Sequence, residues 1–533
     1  MKRLFLSTCL FTCVLSLANA FYEAVVWGKH SNVAHLDLSD VVQVVHNRDA
    51  LVLLKGDGTG AAWGHQDRGG DASGVELTNL QAIYSTWEAF AALKEDGTVV
   101  AWGNDVHGGD ATAVQTDVVG VQTIASSRRA FAALRTDGTV VTWGDSGFDG
   151  NSSAVQRSLV NVIAIASNEF AFAAIKADGT VITWGTDIFG GDSSAVQEDL
   201  VNVTAIYSTD IAFAALRSDG KVVTWGSSDD GGDSSAVQPR LNAVISISST
   251  GGAFAALTSG GEVISWGSDS FFPPEQAAPI VVPDGLEAGV VSLTASDFAF
   301  AALKNDKTVI CWGIDSPLSH SLSVSDGLSN IESIVANNTA FAAIKTDKTV
   351  VTWGYSSSGG DSVDVQGDLQ NVQSIAASSS AFAALKEGGT VVTWGSSDVG
   401  GDSEVVDNQL TNIVRIHGAH GTFVALKGVP ATVDTDLTAA DDILASGREL
   451  LATTTTNYEA AQADAGNKVT LRVLERFYPD KVLHTAAGTI GNKSVTLNYQ
   501  LQRSSDLKSW STEAADESLV LSVPDDETYY YLE

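Results

Sequence analysis

Cysteine is nearly absent, with three in 533 residues, and Cys9 and Cys13 fall in the first apolar stretch. Only Cys311 lies beyond it, and a lone thiol cannot form an internal disulfide, so a packed core and not covalent staples must hold this fold. Cys311 stands where other copies of the repeat described below have Thr or Ala before a Trp, which predicts a buried small side chain. Basic residues are also few: 30 Lys and Arg face 64 Asp and Glu, a formal charge of -34. An acidic coat of that size repels phosphates, which argues against nucleic acid as a partner. It suits solubility in salty surroundings, where screening shortens self-repulsion to about 10 Å or less. Long apolar runs are missing too. The longest, residues 4–17, follows Lys2 and Arg3 and precedes Ala18-Asn19-Ala20, which reads as an export signal cleaved after Ala20. It is too short for a comfortable membrane span, and nothing else approaches about 20 apolar residues. The expected mature protein is soluble and either secreted or held at the cell surface.

What the chain does have is repetition. Trp-Gly pairs recur at Trp27, Trp63, Trp102, Trp143, Trp184, Trp225, Trp266, Trp312, Trp353 and Trp394, mostly 41 residues apart. A steady period in this range is the signature of propeller blades. Each unit contains three short apolar runs, as in residues 372–376, 381–386 (AFAALK) and 390–394 (TVVTW). The second and third runs are usually joined by Asp-Gly, as at Asp96-Gly97 and Asp137-Gly138, which predicts a hairpin with positive φ at both turn positions. Asp306-Lys307 and Asp347-Lys348 depart from this and predict a different or strained turn. Alternation of Phe with Ala suits a strand whose two faces both meet other sheets. After Trp-Gly comes a polar Gly-Gly-Asp loop, where Asp192 and Asp233 are expected to cap a helical turn.

The phase of the array at its ends carries most of the topology. It opens with the last strand of a unit, Val25-Val26-Trp27-Gly28, and stops after the second strand of another, residues 423–427. Nine complete hairpins would be joined by a tenth made from both ends, because pairing them removes two exposed sheet edges. The expected fold class is therefore all-β: a closed propeller of about ten blades over residues 21–429. An open superhelix or two smaller rings are the alternatives. The place for a break is the 46-residue step around Phe271-Phe272-Pro273-Pro274.

The recurring Ala-Leu-Lys-x-Asp-Gly-Thr-Val-x-x-Trp-Gly pattern resembles the regulator-of-chromosome-condensation repeat family over about residues 22–427. That family's Gly-Gln-Leu-Gly loop is replaced here by Gly-Gly-Asp-Ser, as at residues 400–403. The resemblance implies a propeller, usually seven-bladed in the family. It also implies roles ranging from nucleotide exchange on a small nuclear GTPase to inhibition of β-lactamases by secreted bacterial members. Exchange does not suit an exported acidic chain without an inserted wedge segment. Binding a protein across a propeller face does suit it.

Catalytic chemistry is hard to assemble. Gly144-Asp145-Ser146-Gly147 spells a serine-nucleophile motif without a matching His and Asp. His417 and His420 lack a third metal ligand. Acidic loop residues such as Asp187 with Asp192, or Asp398 with Asp402, are the right type for calcium, although no bidentate Glu recurs. Cap and solvated turn is the plainer reading, so no cofactor is expected and calcium is the one kept open. Trp87, outside the Trp-Gly register, together with Arg128 and Arg129 in a similar inter-strand loop, marks a candidate binding rim. From residue 430 the repeat gives way to a predicted helix, with Ile443, Leu444, Gly447, Leu450 and Leu451 on one face. Strands at 468–474, 494–502, 518–523 and 529–532 would follow, forming a small α+β or β-sandwich module for support, attachment or sorting. The function these features favour is non-enzymatic recognition of an extracellular protein or glycan. The rivals are a hydrolase or lyase working in the central channel and a calcium-stabilised surface adhesin.

Overall fold

A computed structural model describes residues 23–29, 38–268, 280–313 and 328–428, and the backbone of four strands within 468–522. Its repeat unit is a three-stranded antiparallel sheet. In the third blade the strands are Val121–Ser126, Ala130–Arg135 and Val140–Gly144, in sequential order, with Phe131 directly opposite Trp143. Phe and Trp stack at 5.1 Å between ring centroids here, and the same pair recurs in the other blades that carry both residues. The middle strand, AFAALR, is buried on both faces. Ala130, Ala132 and Leu134 meet Phe172 and Trp184 of the next blade, whereas Phe131 and Ala133 meet Ala89 and Ala91 of the previous one. A face of alanines thus receives a face of rings, which is why this strand alternates small and large residues.

Ten such blades form one ring. Glu23–Gly28 is the third strand of the last blade, pairing antiparallel with Thr422–Lys427 so that Trp27 lies opposite Phe423 and Val25 opposite Ala425. The two faces of this strand enter different cores: Val25 and Trp27 pack on the ninth blade, and Ala24 and Val26 on the first. Ten inter-blade cores close the circle, so the superhelix and the pair of rings are both excluded. The sequence around Phe271 lies outside the described residues, yet the strands flanking it, Val263–Gly267 and Val290–Ala295, belong to adjacent blades sharing one core.

Loop glycines complete the joints. In six inter-blade loops a left-handed Gly offers its carbonyl to the Trp Nε1 of the next blade, as Gly69 does to Trp102 at 3.0 Å. Gly69 has φ +93°, and a Cβ there would lie 2.5 Å from the Phe90 ring, so only glycine fits.

One sequence expectation is corrected. The Asp-Gly hairpins carry positive φ at glycine only, as at Gly97 (+79°), and Lys94 pairs with Thr98 across a three-residue loop. This is the three-residue turn with a left-handed third position, not the two-residue type with two positive φ values. Asp96 Oδ1 accepts from both the amide and the hydroxyl of Thr98, which fixes its place. Lys307 (+67°) and Lys348 (+64°) adopt the glycine's left-handed conformation, so these turns keep the common type and carry strain.

Cys311 is buried in the core between the seventh and eighth blades, as expected, and burial pushes its thiol up to about 12. Native protein is therefore expected to resist maleimide at pH 8 and to react stoichiometrically once unfolded in guanidinium. Fast native labelling, read by mass, would contradict this burial.

The C-terminal unit is described on its own. Lys468–Arg476, Lys481–Gly491, Ser494–Ser504 and Ser511–Ser522 form a four-stranded antiparallel meander. The sequence reading missed Lys481–Gly491, whose Thr, Ala and Gly residues lack the β-branched and aromatic density used to recognise strands. The export signal, the predicted helix around Ile443 and the strand at 529–532 lie outside the described residues. Among the described residues no helix is long and apolar enough to cross a membrane.

Candidate functional site at the channel mouth

Between the first and second strands of every blade lies a three-residue turn. Its first residue is buried and polar in most blades and locks the turn. Asn47 Oδ1 accepts from the amides of Asp49 and Ala50, while its Nδ2 donates to Arg68 O in the inter-blade loop at 2.7 Å. Asn168 and Asn337 repeat these bonds, and Thr86 and Thr209 approximate them with a hydroxyl.

The second residue of each turn faces the channel, and its backbone is tied to the next blade. Amides of residues 48, 87, 128, 169, 210, 251, 297, 338 and 379 each donate to the carbonyl of the following member, at 3.0–3.3 Å. Nine hydrogen bonds thus run round the mouth. At the seam His420 N donates instead to His46 Nδ1, at 3.2 Å. With strand-like spacing of ~4.8 Å, ten members give a ring roughly 15 Å across. Below it the first strands end in Ser or Ala in most blades, and Ser85, Ser167 and Ser208 hydroxyls donate to the preceding blade's carbonyl. The open cavity at this mouth is about 720 Å³.

Side chains at this one repeat position differ in kind around the ring. Arg48, Trp87 and Arg128 form one arc. The Arg128 guanidinium sits 3.5 Å from the Trp87 ring centroid, Arg48 lies 5.5 Å from it, and Arg128 ion-pairs with Glu169 at 3.2 Å. A guanidinium on an indole face is held both by the ring's quadrupole and by its own weak hydration. The adjoining arc is acidic. The Asp210 carboxyl is pushed up to about 7, first by loss of water within the mouth and then by the charges of Glu169, Asp297 and Asp230. Burial raises Asp297 to about 6. Gly251 stands between them without a side chain, and the Asp210 carboxylate leans over its Cα.

Of the residues singled out in sequence, Trp87 and Arg128 are brought together on the ring. Arg129 points away from the channel to its own blade's loop, where it pairs with Asp145 at 3.2 Å and lies 4.9 Å from the Phe148 ring. Three aromatic residues not singled out continue that row. Phe148 touches Phe170 at 5.9 Å and Phe170 touches Phe189 at 5.3 Å. They were missed because Phe170 borders the core run AFAAIK and the other two sit in loops that elsewhere are polar.

The remaining candidates separate. Asp145 of the serine-nucleophile motif is engaged by Arg129 and by the Gly147 amide. His420 belongs to the ring, whereas His417 is half-buried on Ile413–Gly418, where burial lowers it to about 4. Asp192, Asp233 and Asp402 each accept from the amide two residues on, an Asx turn and not the expected helix cap, because the helical turns that follow have Ser193, Val237 and Val406 at their N-caps without a side-chain cap bond. Among the described residues no three His, Cys, Asp or Glu side chains gather as a metal site would require.

No family model and no curated protein matches the chain. Solved structures with a similar fold include Prp20p from Saccharomyces cerevisiae, at 13% identity, 81% of this chain, 96% of that one and TM-score 0.34. The same yeast protein, there called RCC1 and bound to Kap60, aligns at 13% identity over 80% of this chain and 93% of that one, TM-score 0.33. The ectodomain of the Arabidopsis thaliana receptor kinase ACR4 aligns at 15% identity over 50% and 90%, TM-score 0.30. Superpositions this loose set no blade number and lend no partner. The chain's own strand pairing makes it a ten-bladed β-propeller whose repeat resembles that of the regulator-of-chromosome-condensation family.

Proposed function

We propose that this protein is a secreted, non-enzymatic scaffold that binds another protein on its channel-mouth face, with Trp87 and Arg128 at the centre of the contact and Arg129 at its outer side. The observation that carries this reading is a frame fixed by the same backbone hydrogen bond at nine of its ten joints and presenting varied side chains round the ring, from Arg48 to His420. Constant backbone with varied, half-exposed Trp and Arg is how recognition surfaces combine low entropy cost with specificity. The test is capture from the native extracellular medium. A partner held by the wild type is expected to lose at least about tenfold in retention with Trp87→Ala and with Arg128→Ala, both partly exposed positions whose truncation leaves the blade cores intact. Equal retention by all three proteins would reject it.

A second reading, an enzyme working at the channel, draws on Asp210, whose carboxyl near 7 suits proton transfer at neutral pH. Glu169 and Asp297 line the same cavity and their charges raise it further, above a wall mostly of serines and alanines. Substrate turnover abolished by Asp210→Asn with binding retained would establish that reading instead.

A further inference from the structure

The two arginines and the aromatic row form a contiguous patch on one sector of the face. Phe148 is 38% exposed and Ile188, next to Phe189, is 70% exposed. The matching turn positions in the eighth to tenth blades hold Thr339, Ser380 and Gly421, and the loop position of Phe148 holds Ser358 after the eighth blade. The turn position of Phe170 holds Ile211 in the fifth blade and Phe298 in the seventh, so what marks this sector is the ring-to-ring contact of its aromatics. A contiguous apolar row is an attachment point, whereas isolated exposed apolar residues need no explanation.

Charge around the patch says what can cover it. Its own arginines are neutralised by Glu169 and Asp145. Exposed carboxylates stand on both sides: Asp105 in the loop before it, and Asp187 and Asp229 beyond it. None of these three is ion-paired among the described residues. A second copy of a chain with net charge -34 would be repelled. We infer that the sector formed by Phe148, Phe170, Phe189 and Ile188 docks a protein segment with an aromatic or aliphatic anchor flanked by lysine or arginine. The anchor covers the Phe row beside the arginine-held Trp87, and the flanking cations reach the unpaired carboxylates. This rests on the scaffold reading and narrows it to one sector and one partner chemistry.

The test uses the full chain and three capped, labelled peptides: an apolar pair flanked by lysines, the same pair flanked by glutamates, and the lysines alone. Fluorescence anisotropy is expected to show the lysine-flanked apolar peptide binding at least about tenfold tighter than either other, with affinity falling as salt rises. Phe148→Ser and Ile188→Ser are each expected to weaken it by about tenfold, with Phe148→Leu close to wild type. Val363→Ser and Val405→Ser, exposed apolar controls on distant blades, should leave it unchanged. Equal binding of all peptides, equal loss in the control variants, or dimerisation through the patch in sedimentation would overturn the inference. If a partner captured from the medium needs Trp87 but ignores Phe148→Ser and Ile188→Ser, the scaffold function stands and this sector is the wrong one.

Discussion

Trp27→Ala is expected to open the ring. Trp27 is 2% exposed, stacks on Phe423 at 5.2 Å and donates Nε1 to Gly400 O at 3.0 Å. Truncating a buried indole costs about 3–5 kcal/mol. The same truncation at Trp143 removes comparable contacts, but there the strand is held in place by its own hairpin turn. Strand Glu23–Gly28 has no hairpin to Thr422–Lys427, and only pairing and side-chain packing keep it in the last blade. Its loss leaves a bare edge on Phe423's strand and uncovers two cores at once, Val25 with the ninth blade and Ala24 with the first. Hydrogen exchange is therefore expected to accelerate in Thr422–Lys427 of Trp27→Ala far more than in any strand of Trp143→Ala. The opened protein should also self-associate through the free edge. Matching exchange profiles for the two variants would mean that the closing strand is not what limits ring stability.

That the ring closes was legible before any coordinates, because the array begins on a third strand and ends on a second. The phase of Val25-Val26-Trp27-Gly28 against residues 423–427 leaves one complementary pairing. Blade number followed from the Trp-Gly count for the same reason: each Trp performs one structural act, covering its blade's Phe, or Leu51 in the first blade. The site was legible only in part. Trp87 and Arg128 stood out as residues foreign to the repeat, but nothing in their spacing shows that position 87 hands its amide to position 128, and so on around the mouth. That ring is a product of closure, and its members share backbone geometry while having no residue type in common, so it leaves no sequence signal. The Phe148, Phe170 and Phe189 row failed for a related reason. In a chain that buries a Phe in nearly every blade, three more look like core until their loops are placed. The hairpin turns were misread because Asp-Gly serves two turn types, and the pairing of Lys94 with Thr98 decides between them.

Asp149→Gly is expected to stabilise the protein, and by an amount that depends on pH. Asp149 takes the place that a left-handed glycine holds after six other blades, as Gly108 and Gly190 do. A side chain cannot enter that conformation beside the next blade's Phe, so the loop follows another path, and Trp184 Nε1 is left buried without an acceptor. The carboxylate itself is fully buried, and its contacts with the Ser127 hydroxyl and its own amide fall short of full hydrogen-bond geometry. Burial pushes it up to about 6, helped by Asp145 and opposed by the Ser127 hydroxyl and Arg129. An acid whose folded pKa is raised stabilises least where it must be charged. Its penalty is absent below about pH 4, the unfolded value, and complete above about pH 6. Two units correspond to about 3 kcal/mol at most, and a restored Trp184 bond adds about 1 kcal/mol. The gap between Asp149→Gly and wild type in guanidinium unfolding should therefore widen as pH rises from 4 to 7. Asp149→Asn separates the two contributions, because it removes the charge and its pH dependence while keeping the side chain that bars the left-handed turn. A gap that stays flat with pH would show that the Asp149 carboxyl is not charged against its surroundings, and a less stable glycine variant would show that the loop has found a better path than the one its neighbours use.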